Sequence, residues 1–193
     1  MKTEFEKMRS GEFYSFADPE VAESLRHGKE RSARLRTMTI YSPGYRDAIE
    51  ALIPGLPATA TVMPPVFCDH GNGLHIGEHT FINSGCTFLD GADIFIGRHV
   101  LIGPNCQFYT PNHPMDYRLR RDDVETCHPI RIGDDSWLGG GVVVLPDVTI
   151  GARCVIGAGS VVTRDIPDDS VAVGNPARVV RRLATPSGPA SEA

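Results

Sequence analysis

Residues 130 to 162 read IRIGDDSWLGGGVVVLPDVTIGARCVIGAGSVV, and within them Ile132, Leu138, Val144, Ile150, Ile156 and Val162 recur at a strict spacing of six. An amphipathic helix would place apolar side chains at i, i+3, i+4 and i+7, and an ordinary half-buried strand would alternate every second residue. Neither fits. A glycine or a proline turn follows each of the first five anchors (Gly133, Gly139, Leu145-Pro146, Gly151, Gly157), and Ser136, Val142, Val148, Cys154 and Ser160 stand four places after them. Units of this kind are hexapeptide repeats: each makes one short strand and a turn, and three complete one coil of a parallel β-helix.

The same spacing occurs upstream in two shorter runs. Ile76, Ile82 and Phe88 form one, with Thr80 and Cys86 in the small position; Ile96, Ile102 and Phe108 form the other, with Val100 and Cys106. The interval from Phe88 to Ile96 is eight, which predicts two residues looped out around Asp90-Gly91. Between Phe108 and Ile132 the interval is twenty-four, with prolines, charges of both signs and no repeat, which predicts an extruded loop over 109–131. Four to five coils follow, stacked at roughly 4.8 Å each into a prism about 20 Å tall with open ends that need caps.

A length of 193 residues with 41% apolar composition fits one globular body with an appendage. The net charge of -5, with no concentrated Lys/Arg face, argues against a nucleic-acid partner. The absence of an 18-residue apolar run and of a signal-like start predicts a soluble, cytoplasmic protein with no membrane partner. Of the five cysteines, Cys86, Cys106 and Cys154 hold the small inward position, so they read as buried hydrophobes rather than disulfide or metal ligands. Residues 1–60 form a helical segment that caps the coil. Asp18-Pro19-Glu20 starts a helix running to about Met38, with Asp as N-cap and Pro at the first helical position, and a second helix covers Tyr45 to Leu52. Residues 61–183 make the β-helix, broken at Gly174-Asn175-Pro176-Ala177 before a basic stretch from Arg178 to Leu183, and 184–193 is predicted to be disordered.

Chemistry concentrates in the extruded loop, at Tyr109-Thr110-Pro111-Asn112-His113-Pro114. Histidine is the side chain best suited to take a hydroxyl proton near neutral pH, and flanking prolines hold it in an extended backbone. A loop of this length inside a compact repeat body generally has a function. Glu125 in the same loop either orients His113 or the acceptor, or faces solvent. Asn83, directly after an anchor, is either a hydrogen-bond donor to a hydroxyl or oxyanion or a structural turn residue. Arg164, Arg178 and Arg181 are a seat for phosphates or a solvated surface. Trp137 follows an inward serine and so points outward, to stack on a ligand or a subunit. His70, His75 and His79 are close enough in sequence to raise a trimeric zinc site of the carbonic anhydrase kind. The long His-Pro loop has no place in such an enzyme, and His79 and His99 fall at water-facing turns, so no metal is assigned.

Taken together, these residues resemble the maltose and galactoside O-acetyltransferases, a branch of the hexapeptide acyltransferases that use acetyl-coenzyme A. The similarity runs over about residues 5 to 183. It is carried by Glu6-Lys7-Met8, Gly11-Glu12-Phe13-Tyr14 with Asp18-Pro19-Glu20, Pro64-Pro65-Val66, the stretch from Asn83 to Asp90, and the Tyr109–Pro114 segment. Trp137-Leu138-Gly139-Gly140, Gly157 to Pro167 and Gly174 to Arg178 complete it. The resemblance implies a left-handed β-helix, against the usual right-handed crossover rule, assembled as a homotrimer with active sites between subunits. It makes His113 the catalytic base, Asn83 and Asp69 acceptor-binding positions, and Gly140, Ala158, Thr163, Arg164, Arg178 and Arg181 coenzyme A contacts, with Trp137 beside the pantetheine arm. Two positions depart from the galactoside enzymes: Gly91 stands where they have an acid, and Asp69 where a serine contacts the acceptor. The implied reaction is direct transfer of acetyl from acetyl-CoA to a hydroxyl of a sugar or related small molecule. Alternatives are a different acceptor, such as an antibiotic or an amino sugar, and a non-catalytic trimeric scaffold.

Overall fold

In the computed structural model residues 1–184 are described, and from residue 185 on the tail with predicted disorder lies outside them. Three parallel ladders form a prism. The first face carries Thr61–Val62, Phe81–Ile82, Leu101–Ile102, Trp137–Leu138, Val155–Ile156 and Ser170–Val173. The second carries Phe67–Cys68, Thr87–Leu89, Gln107–Tyr109, Val143–Val144 and Val161–Val162. The third carries Leu74–Ile76, Ile94–Ile96, Ile130–Ile132 and Thr149–Ile150, continued by a single bridge from Ile150 to Ile166.

The anchors do what their period demands. Ile82, Ile102, Leu138, Ile156 and Ala172 stand in register along the first face, and all are buried. Phe88 stacks on Phe108 at 4.9 Å in the second ladder. Burying one such side chain fully is worth roughly 1.5–3 kcal/mol.

Three expectations about the coil are corrected. The solenoid has five complete coils and the first face of a sixth, about six turns against the predicted four to five. The missed coil uses Val62, Cys68 and Leu74, also six apart, but Met63, Asp69 and His75 follow them where the later repeats have glycine. Second, nothing loops out at Asp90-Gly91. The extra two residues lengthen the strands on either side by one each, Thr87–Leu89 on the second face and Ile94–Ile96 on the third, where both Ile94 and Ile96 point inward, while Asp90 is fully buried and accepts the backbone N–H groups of His70 (2.8 Å) and Gly73 (3.1 Å). Third, the ends of the predicted loop belong to the coil, since Tyr109 closes one strand and Ile130-Arg131 opens the next. Between them, Pro111–Asn112 and Val124–Cys127 pair antiparallel, and Tyr14–Ser15 adds a third strand to this ribbon.

At one corner column His79, His99, Asp135, Arg153 and Asp169 all adopt left-handed backbone, with φ of 59, 54, 59, 56 and 55°. The rings of His79 and His99 consequently stack at 4.8 Å as one coil repeats the next. That repetition accounts for these histidines without a metal.

Helices α1 (Glu4–Ser10), α2 (Pro19–Leu35) and α3 (Tyr45–Leu52) close the N-terminal end. Asp18 caps α2 by accepting the Glu20 N–H at 2.9 Å, as its position before a proline predicts. Ile49, Leu52 and Ile53 join Val62, Val66 and Cys68 in one core, so α3 is the lid of the first coil. Helix α2 crosses the coil at Gly28, where a Cβ would lie 2.0 Å from the Asp69 carbonyl oxygen. Glycine inside a helix costs about 1 kcal/mol, but nothing larger fits here. At the far end the chain turns at Gly174 to Ala177 and Arg178–Arg182 returns antiparallel to Ser170–Val173. No helix among the described residues is long and apolar enough to cross a membrane.

Candidate active site

The antiparallel ribbon positions His113. Asn112 pairs with Thr126 and Pro111 with Cys127, so His113 leaves the ribbon edge directly opposite Glu125. His113 Nε2 lies 3.5 Å from Glu125 Oε2, and the ring meets Phe16 edge-on with centroids 6.3 Å apart. Glu125 is mostly shielded, at 13% side-chain exposure, whereas His113 is 55% exposed and open to an incoming group. The other Glu125 oxygen accepts the Tyr14 hydroxyl. Burial pushes the Tyr14 phenol far above its ordinary range, so it acts only as a neutral donor.

These side chains line a cavity of about 350 Å³ between α2, the ribbon and the first coils, together with Asp69, His70 and Gly91. Asp69 is held by Lys29 of α2 at 2.5 Å. His70 is buried, with Nδ1 2.9 Å from Ser24 Oγ, and burial followed by the charge of Arg9 pulls its pKa from 6.5 to about 4. It therefore presents a neutral ring. Gly91 has no room for a side chain, because a Cβ would lie 2.5 Å from Cys127 Sγ. A polar rim of two carboxylates and two histidines over aromatic and aliphatic walls suits a small polyhydroxylated molecule.

A larger open groove of about 730 Å³ runs down the third face past Phe95 and Arg131. Its outward stack of His75, Phe95 and Arg131, with the rings 4.8 Å apart and the guanidinium 4.2 Å above Phe95, is a ladder of coil neighbours. His75 in its lining pairs with Asp93 at 3.1 Å, but both side chains stand open to solvent on the coil surface, whereas the smaller cavity sets its histidine against a shielded carboxylate and is the better candidate. Among the described residues no group of three or more His, Cys, Asp or Glu side chains could hold a metal ion.

Of the residues singled out in the sequence, the cavity gathers His113, Glu125 and Asp69. Asn83 is not among its lining; its Oδ1 accepts the Ser84 N–H at 2.8 Å. Asn83 shares a corner column with Gly140 and Ala158 instead, as the coil-to-coil bonds from Asn83 N to Ile102 O, Gly139 N to Ile156 O and Gly159 N to Gly140 O show. Trp137 points outward on the first face at 54% exposure, between Leu101 and Val155. Thr163 and the exposed Arg164 follow the last second-face strand. Arg178 and Arg181 pair with Val173 and Val171, and the irregularity between Val171 and Ala172 accommodates one extra residue, Val180. Directly paired residues share a side of the sheet, so this bulge turns both arginines the same way. Sequence reasoning missed Tyr14, Phe16 and His70 as cavity residues, because only the fold brings them to the loop.

Three comparisons bear on this geometry. A family model described as bacterial transferase hexapeptide (six repeats) matches residues 129–164. The structure is similar to that of a maltose O-acetyltransferase from Clostridium difficile 630, at TM-score 0.91 and 39% identity over 95% of this chain and 99% of that one. It is also similar to a hexapeptide-repeat acetyltransferase from Vibrio cholerae solved with acetyl coenzyme A, at TM-score 0.88 and 41% identity over 95% and 100% of the two chains. In sequence, galactoside O-acetyltransferase of Escherichia coli (strain K12) is 37% identical over 183 residues, 92% of this chain and 88% of that protein. The coil is accordingly the left-handed β-helix of these relatives. The chain belongs to the maltose/galactoside O-acetyltransferase family of hexapeptide-repeat acyltransferases, and is an acetyltransferase by class.

Proposed function

We propose that this protein transfers acetyl from acetyl-CoA directly to a hydroxyl of a sugar or related small molecule, with His113 as general base. The observation that carries the reading is His113, half exposed beside the shielded Glu125 carboxylate at the mouth of a cavity walled by Asp69 and Phe16. His113 takes the acceptor proton as the oxygen attacks the thioester carbonyl. The tetrahedral oxyanion then collapses, the C–S bond breaks, and the imidazolium returns its proton to the leaving thiolate. General-base assistance of this kind contributes about 10²–10⁴ in rate, and holding both substrates in one site supplies the remainder.

The second half of the site comes from a neighbouring copy. In a homotrimer, one subunit's corner of Asn83, Gly140 and Ala158 faces the next subunit's His113 loop; Asn83 contacts the acceptor, and the Gly140 N–H is placed to hold the oxyanion. Trp137 lies along the pantetheine arm, and Thr163, Arg164, Arg178 and Arg181 hold the nucleotide end by charge-assisted hydrogen bonds. Glu125 and Asp69 contact or orient the acceptor from the cavity side. The division into a cap of residues 1–60 and a catalytic β-helix of 61–183 follows. The five unpaired cysteines and the demand for acetyl-CoA fit a cytoplasmic location.

Release of free thiol from acetyl-CoA, measured with maltose, a galactoside, an amino sugar and an aminoglycoside antibiotic as acceptors, tests the reading. Turnover with a sugar, with an O-acetyl ester as product, is the expected result. Product only at an amine would move the acceptor class, and no thiol release with any acceptor would leave a scaffold.

A further inference from the structure

Tyr14 lies in the N-terminal segment, before any coil begins, yet its hydroxyl reaches the carboxylate that faces the base. The strand Tyr14–Ser15 pairs antiparallel with Val124–Cys127, with Tyr14 directly opposite Glu125. Phe16 N donates to Asp123 O at 3.1 Å, extending the same edge. The Tyr14 ring is buried in a cluster with Met8, Val21, Ala92 and Cys127, so backbone pairing and side-chain packing both fix it. Its hydroxyl donates to Glu125 Oε1 and stands 3.4 Å from Cys127 Sγ, while Glu125 Oε2 faces His113 Nε2 at 3.5 Å. One carboxylate thus joins a rigid phenol to a half-exposed imidazole.

We propose that Tyr14 is a positioning residue: by holding Oε1 it presents Oε2 to one ring nitrogen of His113 and fixes the tautomer that leaves the other nitrogen free to take the acceptor proton. The proposal rests on the reading of His113 as base. A glutamate side chain has three rotatable bonds, and without a second partner its carboxylate would sample several orientations. A neutral imidazole carries one proton on either nitrogen, and the partner of one nitrogen decides the protonation of the other. Burial keeps the phenol protonated and pushes the neighbouring Cys127 thiol up to about 11, so neither group competes as an anion. The other titratable groups around the pair are Asp69, which accepts from Lys29 of α2, the buried neutral His70 on the coil, and Arg9 of α1, whose charge acts on Cys127.

The inference makes the N-terminal segment part of the catalytic apparatus as well as a cap. It is testable on the free protein, with no acceptor or acetyl-CoA present. The side-chain ¹⁵N shifts of His113, assigned by their loss in His113→Ala, report its tautomer ratio at about pH 9, well above the ordinary imidazole range. The wild type should show one tautomer in at least tenfold excess. Tyr14→Phe, which keeps the ring and its packing, should bring the ratio five- to tenfold closer to even, and Glu125→Gln should do at least as much. In the Glu125→Gln background Tyr14→Phe should change nothing further, which separates action through Glu125 from a general effect on the fold. The double variant also leaves no buried carboxylate short of a donor, so it remains informative if Tyr14→Phe alone folds poorly. A Tyr14→Phe ratio within twofold of wild type, or an equal shift with and without Glu125, would overturn the proposal. Failure of the acetyl-transfer reading would appear in thiol release and leave the tautomer ratio untouched.

Discussion

Acidification should weaken the corner at which α2 crosses the coil, because His70 is buried there as a neutral ring. The ring is 5% exposed, its Nδ1 is engaged by Ser24 Oγ at 2.9 Å, and its pKa is lowered from 6.5 to about 4 by burial and then by Arg9. The folded protein therefore binds the proton more weakly than the unfolded chain. This contribution is fully present above about pH 6.5, falls as the pH drops toward 4, and is constant below that. A depression of about 2.5 pH units at 1.36 kcal/mol each amounts to on the order of 3 kcal/mol in all, of which about 2.5 kcal/mol is lost between pH 7.5 and 4.5. Urea unfolding at those two pH values, for wild type and His70→Gln at one fixed protein concentration, measures it. Other groups titrate over the same range, including Asp90, whose carboxyl is pushed up by burial and so acts in the opposite sense. Their contributions are common to both proteins and largely cancel in the difference. The variant should lose about 2.5 kcal/mol less than wild type on acidification. A difference under about 0.5 kcal/mol would show that the folded state accommodates the protonated ring, and the account of His70 as a sealed neutral group would fail.

His113→Ala should lower kcat by roughly two to four decades with the oligomer and the KM for acetyl-CoA intact, as removal of a general base requires; turnover within twofold of wild type would refute the mechanism. Replacing Arg164 and Arg181 together by Ala should raise the KM for acetyl-CoA about ten- to a hundredfold, roughly 1.4 to 2.8 kcal/mol, with little change in thermal midpoint. A shortened acetyl thioester without the nucleotide should feel the change much less, and an equal loss for both donors would place the coenzyme elsewhere. Light scattering should give a mass near three times 21.0 kDa, since half of the proposed site comes from a neighbour; a monomer at micromolar concentration would remove the inter-subunit site. Phe108→Ala, which deletes one ring of the stacked pair inside the coil, should cost about 3–5 kcal/mol by denaturant unfolding.

The coil was legible in the sequence because a β-helix returns each side chain to nearly the same environment once per turn, so a tertiary fact repeats along the chain as a local period. Ile132, Leu138 and Val144 could be assigned to three faces without coordinates for that reason. The helix starting at Asp18-Pro19 and the one over Tyr45 to Leu52 were legible from capping chemistry and composition, which act within a few residues. His113 stood out because a proline-flanked loop interrupts an otherwise unbroken period. Where the period lacks its glycines, at Val62, Cys68 and Leu74, the sequence alone lost a coil, and at Asp90 it took a buried capping carboxylate for a loop. The cavity was decided by the fold alone. Tyr14 and Glu125 are 111 residues apart and meet through one antiparallel register. Asp69 and His70 reach the cavity because α2 can cross them at Gly28, and Arg178 and Arg181 face one way because one residue bulges between them. Each of these depends on a single non-repeated contact between distant segments, and a contact that occurs once leaves no period in the sequence to read.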